Sequence, residues 1–305
     1  MSSIAVTAVL APRRRAWLTD LPVLLVAVVW GASYLSAKGI TTEKTVLAVL
    51  VLRFGIVLPV LAVMGWRALR ALSAAQWRGA GLLGLVLSGV FLLETYGVVY
   101  TSATNAGLII SLTMIFTPLA EAAVTRTLPS RSFLAVAGLS VLGVVLLTQS
   151  GGFTSPSSGD LLMLLAALAR TVHVLAMARI KSVRGADALP LTTVQLGAAV
   201  AVFAVLLAAS PGAGATPWAA AADFGAREWA GLLFLSACCT LFAFFVQMWA
   251  VRRTSPSRVS LLLGTEPLWA AAAGILIGGE RLGAAGLLGA VLVLAGTSWG
   301  RRSTG

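Results

Sequence analysis

Four ionisable side chains stand inside long apolar stretches of this sequence, namely Arg53, Glu94, Arg170 and Glu266. An ionisable group at membrane depth costs about 2.5–3.5 kcal/mol on insertion scales, or about 10–14 kcal/mol for four such groups. We therefore expect these side chains to face the interior of a helical bundle, to pair with each other, or to line a wet cavity. Two groups of each sign make pairing possible, although the sequence does not assign the partners.

Glu266 is followed directly by Pro267 near the middle of its apolar stretch. A proline removes one helical hydrogen bond and frees the carbonyl group four residues earlier, here that of Leu263. A carboxylate and an exposed backbone dipole therefore coincide at one depth, which suits a substrate or proton site. The alternative is a structural acid that is hydrogen-bonded to a neighbouring helix.

The composition indicates which solvent surrounds these groups. The chain has 305 residues, of which 59% are hydrophobic and 10% charged, and its mean hydropathy is +0.96. Soluble domains carry about 25% charged residues, and a soluble protein of this size could not hide so much apolar surface. The formal net charge of +12 lies in short clusters between apolar stretches. That distribution is typical of membrane topology rather than of a groove for nucleic acid.

Ten stretches approach the roughly 20 apolar residues that a membrane helix needs. We therefore predict an all-α membrane protein with ten transmembrane helices, preceded by a cytoplasmic N-terminal segment at residues 1–21. The first five spans are predicted at Pro22–Gly39, Thr45–Trp66, Gly79–Tyr100, Ser102–Val124 and Arg131–Gln149. The second five are predicted at Ser158–Arg179, Leu191–Ala209, Trp229–Val251, Pro256–Gly278 and Gly283–Trp299. The longest connection, around Ser210–Arg227, is predicted to be a loose loop.

The basic residues fall unevenly between the two sides of these spans. With a cytoplasmic N-terminus, sixteen Lys and Arg residues lie at cytoplasmic ends and four at outer ends, the four being Lys38, Lys44, Arg227 and Arg281. Cytoplasmic loops carry the excess of Lys and Arg in membrane proteins. We therefore predict a multi-pass protein of the cell inner (plasma) membrane with both termini in the cytoplasm.

The two parts of the chain share a pattern around the end of their third helix. Thr101-Ser102 aligns with Thr254-Ser255, and each pair is followed by a proline inside the next helix. The alignment relates three further positions: Glu94 to Gln247, Tyr96 to Trp249, and Pro118, approximately, to Pro267.

The two repeats, predicted as domains at residues 22–150 and 158–300, hold five spans each. Because five is odd, the second repeat must be inverted in the membrane relative to the first. Inverted repeats whose helices are interrupted, here at Pro118 and Pro267, are typical of secondary transporters with a substrate site near the bilayer midplane.

Several short motifs carry a resemblance to a known family. They are Trp30-Gly31, Thr101-Ser102-Ala103, Asn105-Ala106, Thr254-Ser255-Pro256, Glu266-Pro267 and Gly279-Glu280-Arg281-Leu282. With them the chain resembles the EamA-type branch of the drug/metabolite transporter superfamily over about residues 22–300. The resemblance implies two five-helix halves. The chain departs from the family pattern in reading Thr125-Arg126-Thr127-Leu128 at the end of the fourth helix, and in carrying Glu94 where relatives often have Gln.

Glu94 has a neutral symmetry mate, Gln247, so its carboxylate is a candidate for gaining and losing a proton. We hypothesise that Glu94 or Glu266 couples transport to protons. The alternative is that Glu94 forms an ion pair with Arg53 or Arg170.

Arg170 and His173 lie three residues apart and share one face of the sixth span. A cationic pair at mid-depth suits an anionic or zwitterionic substrate, whereas a lone histidine also serves as a hydrogen-bonded packing residue. Arg53 is either a substrate contact or a structural counter-ion.

Aromatic and small polar residues supply the remaining candidates. Trp30, Tyr34, Tyr96, Trp249 and Trp269 stand beside small residues, where aromatic side chains either line a cavity for an amphipathic substrate or pack. Asn105 in the first turn of the fourth helix is predicted to cap that helix. Cys238 and Cys239 are adjacent and point in different directions, so we predict neither a disulfide nor a metal site.

One motif that suggests another chemistry has a simpler explanation. The stretch Gly79–Gly84 matches the spacing GxGxxG of dinucleotide sites but opens a predicted membrane helix, which favours close helix packing. The GxxxxGK[ST] loop of ATP-driven pumps is absent from the sequence. We predict no cofactor and no metal.

These observations predict a secondary active transporter rather than an enzyme. We expect it to export small metabolites, amino-acid-like or amphipathic compounds, by alternating access, with protons as the candidate coupling ion. Its expected partners are the small-molecule substrate, protons and the lipid bilayer, and no nucleic acid. Two alternatives stay open: an integral-membrane enzyme, which would need catalytic residues clustered at one membrane face, and a non-transporting sensor or assembly protein. Substrate identity, transport direction and oligomeric state are not determined by the sequence.

Overall fold

The computed structural model describes residues 16–127, 131–148, 156–209, 215–253, 259 and 262–303, and every regular element in those ranges is helical. The first part of the chain forms α1 (Ala16–Ile40), α2 (Val46–Arg70), α3 (Ala74–Tyr100), α4 (Ala103–Ile110), α5 (Thr113–Thr125) and α6 (Arg131–Thr148). The second part forms α7 (Ser158–Arg179), α8 (Ala188–Ala209), α9 (Pro217–Asp223), α10 (Ala226–Leu233), α11 (Ala243–Arg253), α12 (Glu266–Ala272) and α13 (Ala284–Ser303). A π-helical turn, Phe234–Phe242, joins α10 to α11, and a second, Ala273–Ile277, extends α12.

The helices confirm the predicted class, a helical membrane protein. In the described part of the chain, seven helices are long and apolar enough to cross a bilayer: Asp20–Ile40, Val46–Arg70, Ala74–Tyr100, Ala103–Thr125, Ser158–Arg179, Ala188–Ala209 and Ala226–Ala250. The other three predicted spans fall on shorter apolar helices, Phe133–Leu147, Glu266–Ile277 and Ala284–Gly296. The arrangement as ten spans in two inverted repeats therefore stays a prediction.

The first helix begins earlier than predicted. It starts at Ala16, and Pro22, the predicted limit, lies within it. A proline in a membrane helix removes one backbone hydrogen bond without ending the helix. The rest of the predicted N-terminal segment lies outside the described residues, as does the motif Thr254-Ser255-Pro256.

The connection predicted as a loose loop around Ser210–Arg227 contains a helix, α9. The hydroxyl of Thr216 accepts a hydrogen bond from the backbone N–H of Ala219 at 3.2 Å, and Pro217 is the first helical residue. A capping threonine followed by proline is a helix start signal, which explains the difference from the prediction. Residues 210–214 lie outside the described part.

The fourth predicted span is divided into α4 and α5 by a tight turn at Ser111–Leu112. The backbone N–H groups of Leu112 and Met114 donate to carbonyl groups three residues earlier. The hydroxyl of Ser111 donates to the carbonyl of Leu108 at 2.6 Å and thereby competes with the helical pattern. The break that the sequence predicts at Pro118 is therefore displaced, because Pro118 lies inside α5.

The two parts of the chain are interleaved in the bundle. α3 packs against both α7 and α8, and α2 packs against α8. α6 packs against α13, and α1 packs against α12. Residues far apart in the sequence therefore meet at the centre of the bundle.

Glycines allow the closest of these contacts. A Cβ atom on Gly84 of α3 would lie 2.6 Å from the carbonyl oxygen of Gln195 and 2.7 Å from the Cβ of Ala198 on α8. A Cβ on Gly143 of α6 would lie 2.8 Å from the carbonyl oxygen of Gly289 on α13. Gly84 belongs to the GxGxxG-like stretch, whose glycines lie inside α3 rather than between a strand and a helix.

The contact at Gly84 predicts the effect of a single methyl group. Gly84→Ala is expected to destabilise the protein by about 1–3 kcal/mol, because overpacking displaces α8. Gly81→Ala in the same helix is the matched control, since a Cβ there meets no atom of the described residues within 4 Å. Thermal unfolding in detergent should show a lowered midpoint for Gly84→Ala and an unchanged or raised midpoint for Gly81→Ala. Equal midpoints for the two variants would contradict the close approach of α3 and α8.

Candidate functional site

A cavity of about 280 Å³ lies between α1, α2, α3, α7, α8, α12 and the π-helical turn before α11. Seven of its lining side chains are candidates from the sequence: Trp30, Tyr34, Arg53, Glu94, Arg170, Gln247 and Glu266. Apolar side chains form much of the remaining wall: Phe54, Leu61, Leu87, Phe91, Leu196 and Phe244. The fold thus gathers charged groups from four helices in one chamber with largely apolar walls.

Glu94 and Arg170 form an ion pair across this cavity. Nη2 of Arg170 on α7 donates to Oε1 of Glu94 on α3, and the side chains are 33% and 12% exposed. A half-buried pair of this kind resists the loss of either partner, since the remaining charge would be left in an apolar wall at a cost of about 3–5 kcal/mol. The pair therefore joins the first part of the chain to the second at the level of the cavity.

Glu266 has a different partner. The hydroxyl of Tyr34 on α1 donates to Oε1 of Glu266 at 2.9 Å. Glu266 is the first residue of α12, which follows a turn at Gly264-Thr265, and Pro267 lies in the first helical turn, where its missing N–H removes no helical bond. The carboxylate thus stands at a helix start, facing the cavity with its second oxygen free of hydrogen bonds from the described residues.

A second cavity, of about 130 Å³, shares two charged lining residues with the first. Arg170, Glu266 and Pro267 contribute to its lining together with the turn between α4 and α5, represented by Ser111 and Thr113. Arg170 and Glu266 therefore line both cavities.

Arg53 lines the larger cavity without an ion-pair partner among the described residues. Its guanidinium lies 4.9 Å from the ring centroid of Phe54 and 5.9 Å from that of Phe91. Its buried Nε has no hydrogen-bond partner among the described residues. The backbone of Arg53, by contrast, is hydrogen-bonded, because the hydroxyl of Ser236 donates to the carbonyl of Arg53 at 3.0 Å.

Trp30 and Gln247 are two further polar side chains of the lining. Nε1 of Trp30 donates to the carbonyl of Cys239 at 2.8 Å, across from α1 to the π-helical turn. The amide of Gln247 donates to the carbonyl of Ala243 at 3.2 Å within its own helix. Cys239 also lines the cavity, and both Cys238 and Cys239 are free thiols.

Four candidates from the sequence lie away from the larger cavity. His173 shares a hydrogen bond of 2.8 Å with Oε1 of Gln195, between α7 and α8. Tyr96 packs beside the buried cluster of Phe54, and Nε1 of Trp269 donates to the hydroxyl of Thr265 at 3.1 Å. Trp249 lies under the guanidinium of Arg253, 5.2 Å from it. The sequence does not fix helix rotation, and these four side chains do not line the larger cavity.

Glu280 is a carboxylate whose role sequence analysis missed. Its Oε1 accepts the backbone N–H of Ala103 at 2.6 Å and its Oε2 accepts that of Thr104 at 2.9 Å. These are the first N–H groups of α4, which have no partner inside the helix, and a carboxylate also suits the positive end of a helix dipole. Glu280 stands in the Gly-Glu-Arg-Leu motif and α4 falls in the fourth predicted span, but the sequence does not show that the two meet.

The role of Asp160 as a cap was also not predicted, although the spacing Ser157-x-x-Asp160 is a capping-box signal. Its carboxylate accepts the backbone N–H of Ser157 at 3.0 Å, the hydroxyl of Thr101 at 2.5 Å and the amide of Asn105 at 3.2 Å. The predicted cap at Asn105 is corrected by these contacts. Ser102 caps α4 by accepting the backbone N–H of Asn105 at 2.9 Å, and the Asn105 side chain binds Asp160.

The helices pack tightly at the end of the bundle where Glu280 and Asp160 cap α4 and α7. A Cβ on Gly31 of α1 would lie 2.6 Å from the backbone nitrogen of Ala270 on α12. A Cβ on Gly159 of α7 would lie 2.5 Å from the backbone nitrogen of Thr101. Nζ of Lys38 donates to the carbonyl of Thr101. Together with the caps by Glu280 and Asp160, these contacts form what we call the closed end.

Comparison with known proteins adds an independent observation. The model of the EamA-like transporter family matches the chain twice, at residues 17–149 and 157–299. The chain is 26% identical over 289 residues to an uncharacterized transporter of Archaeoglobus fulgidus, covering 91% of this chain and 95% of that protein.

A solved crystal structure shares the fold. It superposes with a TM-score of 0.59 at 18% sequence identity, and the match covers 92% of this chain and 95% of the other. The two family matches extend over most of the chain and confirm the resemblance seen in the motifs. This protein belongs to the EamA-like transporter family.

Proposed function

We propose that the protein is a secondary active transporter that exports small metabolites across the cytoplasmic membrane by alternating access. The observation that carries the proposal is the cavity at the centre of the bundle, where an ion pair, a carboxylate and an arginine without an acidic partner face one chamber. Charged groups at membrane depth in a family of transporters are best explained by a pathway for a polar or charged solute.

In this proposal, the chamber lies between two inverted five-helix halves, residues 22–150 and 158–300. Under a twofold operation that exchanges the halves, α7 corresponds to α1, α3 to α10 and α11, and α4 to α12. The packing of α3 on α7 has a counterpart in α10 and α11 on α1, and that of α4 on α7 in α12 on α1. This reciprocal packing supports the inverted arrangement, which is typical of transporters that rock one half against the other.

Access to the chamber is proposed to be from the cytoplasm in this conformation. The lining reaches Leu61 in α2 and Thr192 at the start of α8, toward the end that holds Arg70 and Arg179. The excess of basic residues places that end in the cytoplasm. The closed end then faces outward, and the contacts of Glu280 with α4 are among those that must separate when the chamber opens to the outside.

Glu266 is the proposed proton-coupling group. Glu94 is held by the Arg170 guanidinium, whereas Glu266 receives one neutral hydrogen bond, from Tyr34. A carboxyl group with a neutral donor can gain a proton without leaving a buried cation unpaired. The groups that surround it are Tyr34 on α1, Arg53 on α2, Glu94 on α3 and Arg170 on α7. The proposed partners are thus a small-molecule substrate, protons and the bilayer of the inner membrane, with both termini cytoplasmic.

Reporter fusions test the inverted arrangement. Alkaline phosphatase and fluorescent-protein reporters fused after Arg184 and after Ser210 are expected to report opposite compartments, because α8 crosses the membrane between them. Arg184 should be cytoplasmic and Ser210 external. Both reporters in the same compartment would contradict the ten-span topology.

Flux measurements in proteoliposomes test the coupling. With a substrate found in a panel of amino acids, amines and dyes, Glu266→Gln is expected to abolish uptake driven by a pH gradient. The same variant should retain exchange between labelled and unlabelled substrate, because exchange requires no net proton movement. Glu121→Gln, which removes an exposed carboxylate on α5, is the matched control and should behave as the wild type. A Glu266→Gln variant that retains full gradient-driven uptake would refute the coupling role.

A further inference from the structure

Arg53 is the charged group of the chamber for which the described residues supply neither an ion pair nor a side-chain hydrogen bond. In the described part of the chain the ion pair at the chamber joins Arg170 to Glu94, and Arg53 is not included in it. Its Nε is buried without a hydrogen-bond partner among the described residues. A guanidinium carries five N–H donors, and buried donors of a charged group are costly to leave unpaired.

The aromatic rings beside Arg53 hold its position without neutralising its charge. Phe54 lies on the same helix, and Phe91 reaches over from α3, with ring centroids 4.5 Å apart. A cation above aromatic faces gains about 0.5–2 kcal/mol, but the rings accept no conventional hydrogen bond from the guanidinium edge. The buried Nε is out of reach, but the two Nη groups make no hydrogen bond to the described residues and are available to an acceptor that enters the chamber.

The other groups of the chamber limit what that acceptor can be. Glu94 is committed to Arg170, and Glu266 accepts the hydroxyl of Tyr34. The wall around Arg53 is apolar, with Leu87 and Leu196 among its members. A ligand that suits this environment combines an anionic head for the guanidinium with a short apolar body for the wall. A planar carboxylate matches the guanidinium fork with two parallel hydrogen bonds.

We propose that Arg53 is the specificity-determining residue of the chamber and binds the carboxylate of a small amphipathic acid. The inference deepens the proposed transport function and rests on it, because it assigns the substrate class at the same cavity. The substrate's carboxylate then supplies the acceptor that Arg53 lacks in the empty chamber, while its apolar part contacts the side chains around Phe54 and Phe91.

Isosteric pairs of probes test this assignment. The probes are 4-methylpentanoate against 4-methylpentanamide, and L-leucine against L-leucinamide, each pair differing in the charge of one planar group. Binding is measured by calorimetry on the full-length protein in detergent, for the wild type, Arg53→Gln and Arg53→Lys. The ratio of affinities within each pair is an internal control, because partial loss of folded protein affects both members equally.

The wild type is expected to prefer each carboxylate over its amide by about 10- to 100-fold, the worth of charge-assisted hydrogen bonds. Arg53→Gln should lose that preference, and Arg53→Lys should restore part of it, since lysine keeps the charge but not the fork. A wild type that binds amides as well as carboxylates, or that binds neither carboxylate, would overturn the assignment. An unchanged preference in Arg53→Gln would overturn it equally.

Counterflow in proteoliposomes separates this inference from the proposed function. Exchange of a carboxylate by the wild type that is lost in Arg53→Gln supports both the transport function and the role of Arg53. Exchange of an amide or amine probe by the wild type, without exchange of either carboxylate, would preserve transport and overturn the role of Arg53. Tight carboxylate binding without flux of any probe would preserve the role of Arg53 as a binding residue and contradict transport.

Discussion

A charge inside a membrane must find a partner or water, and this requirement determines the centre of the bundle. Glu94 and Arg170 meet between α3 and α7, so the first part of the chain is joined to the second by a contact that neither could replace cheaply. Glu266 and Arg53 are satisfied less completely and face the same cavity. The buried charges thus divide into one ion pair and two groups that face the cavity without an ion-pair partner among the described residues.

The closed end shows how such a bundle can hold one conformation without a covalent lock. Glycines at positions 31 and 159 let backbones touch, and the carboxylate of Glu280 binds the free N–H groups of α4. Each of these contacts has an alternative in water, because the N–H groups of a helix start and a carboxylate are both well hydrated when exposed. Contacts of this kind can stabilise a closed end and still separate, as rocking of two halves requires.

Much of this organisation follows from the sequence, because hydrophobic length and charge position are properties of the chain alone. Helical membrane architecture and the interior position of Glu266 and Arg170 could be predicted from them, and short motifs indicated the family. Three features could not be predicted, because they depend on helix rotation and crossing. They are the partner of Arg170, the orientation of His173 and Trp249, and the contact of Glu280 with α4. The turn at Ser111–Leu112 was missed because Pro118 is a stronger local signal than two hydroxyl groups that bind backbone carbonyls.

The proposed alternating access requires that one residue of the chamber be reached from both sides of the membrane. A single cysteine at Gln247, in a chain with Cys238→Ser and Cys239→Ser, can be treated with a membrane-impermeant thiosulfonate in oriented vesicles. We predict rapid reaction from the cytoplasmic side and slower but complete reaction from the outside. Leu276→Cys, at a position 81% exposed on the surface of the bundle where lipid would lie, should react from neither side. Reaction of the cysteine at position 247 from one side alone would contradict alternating access.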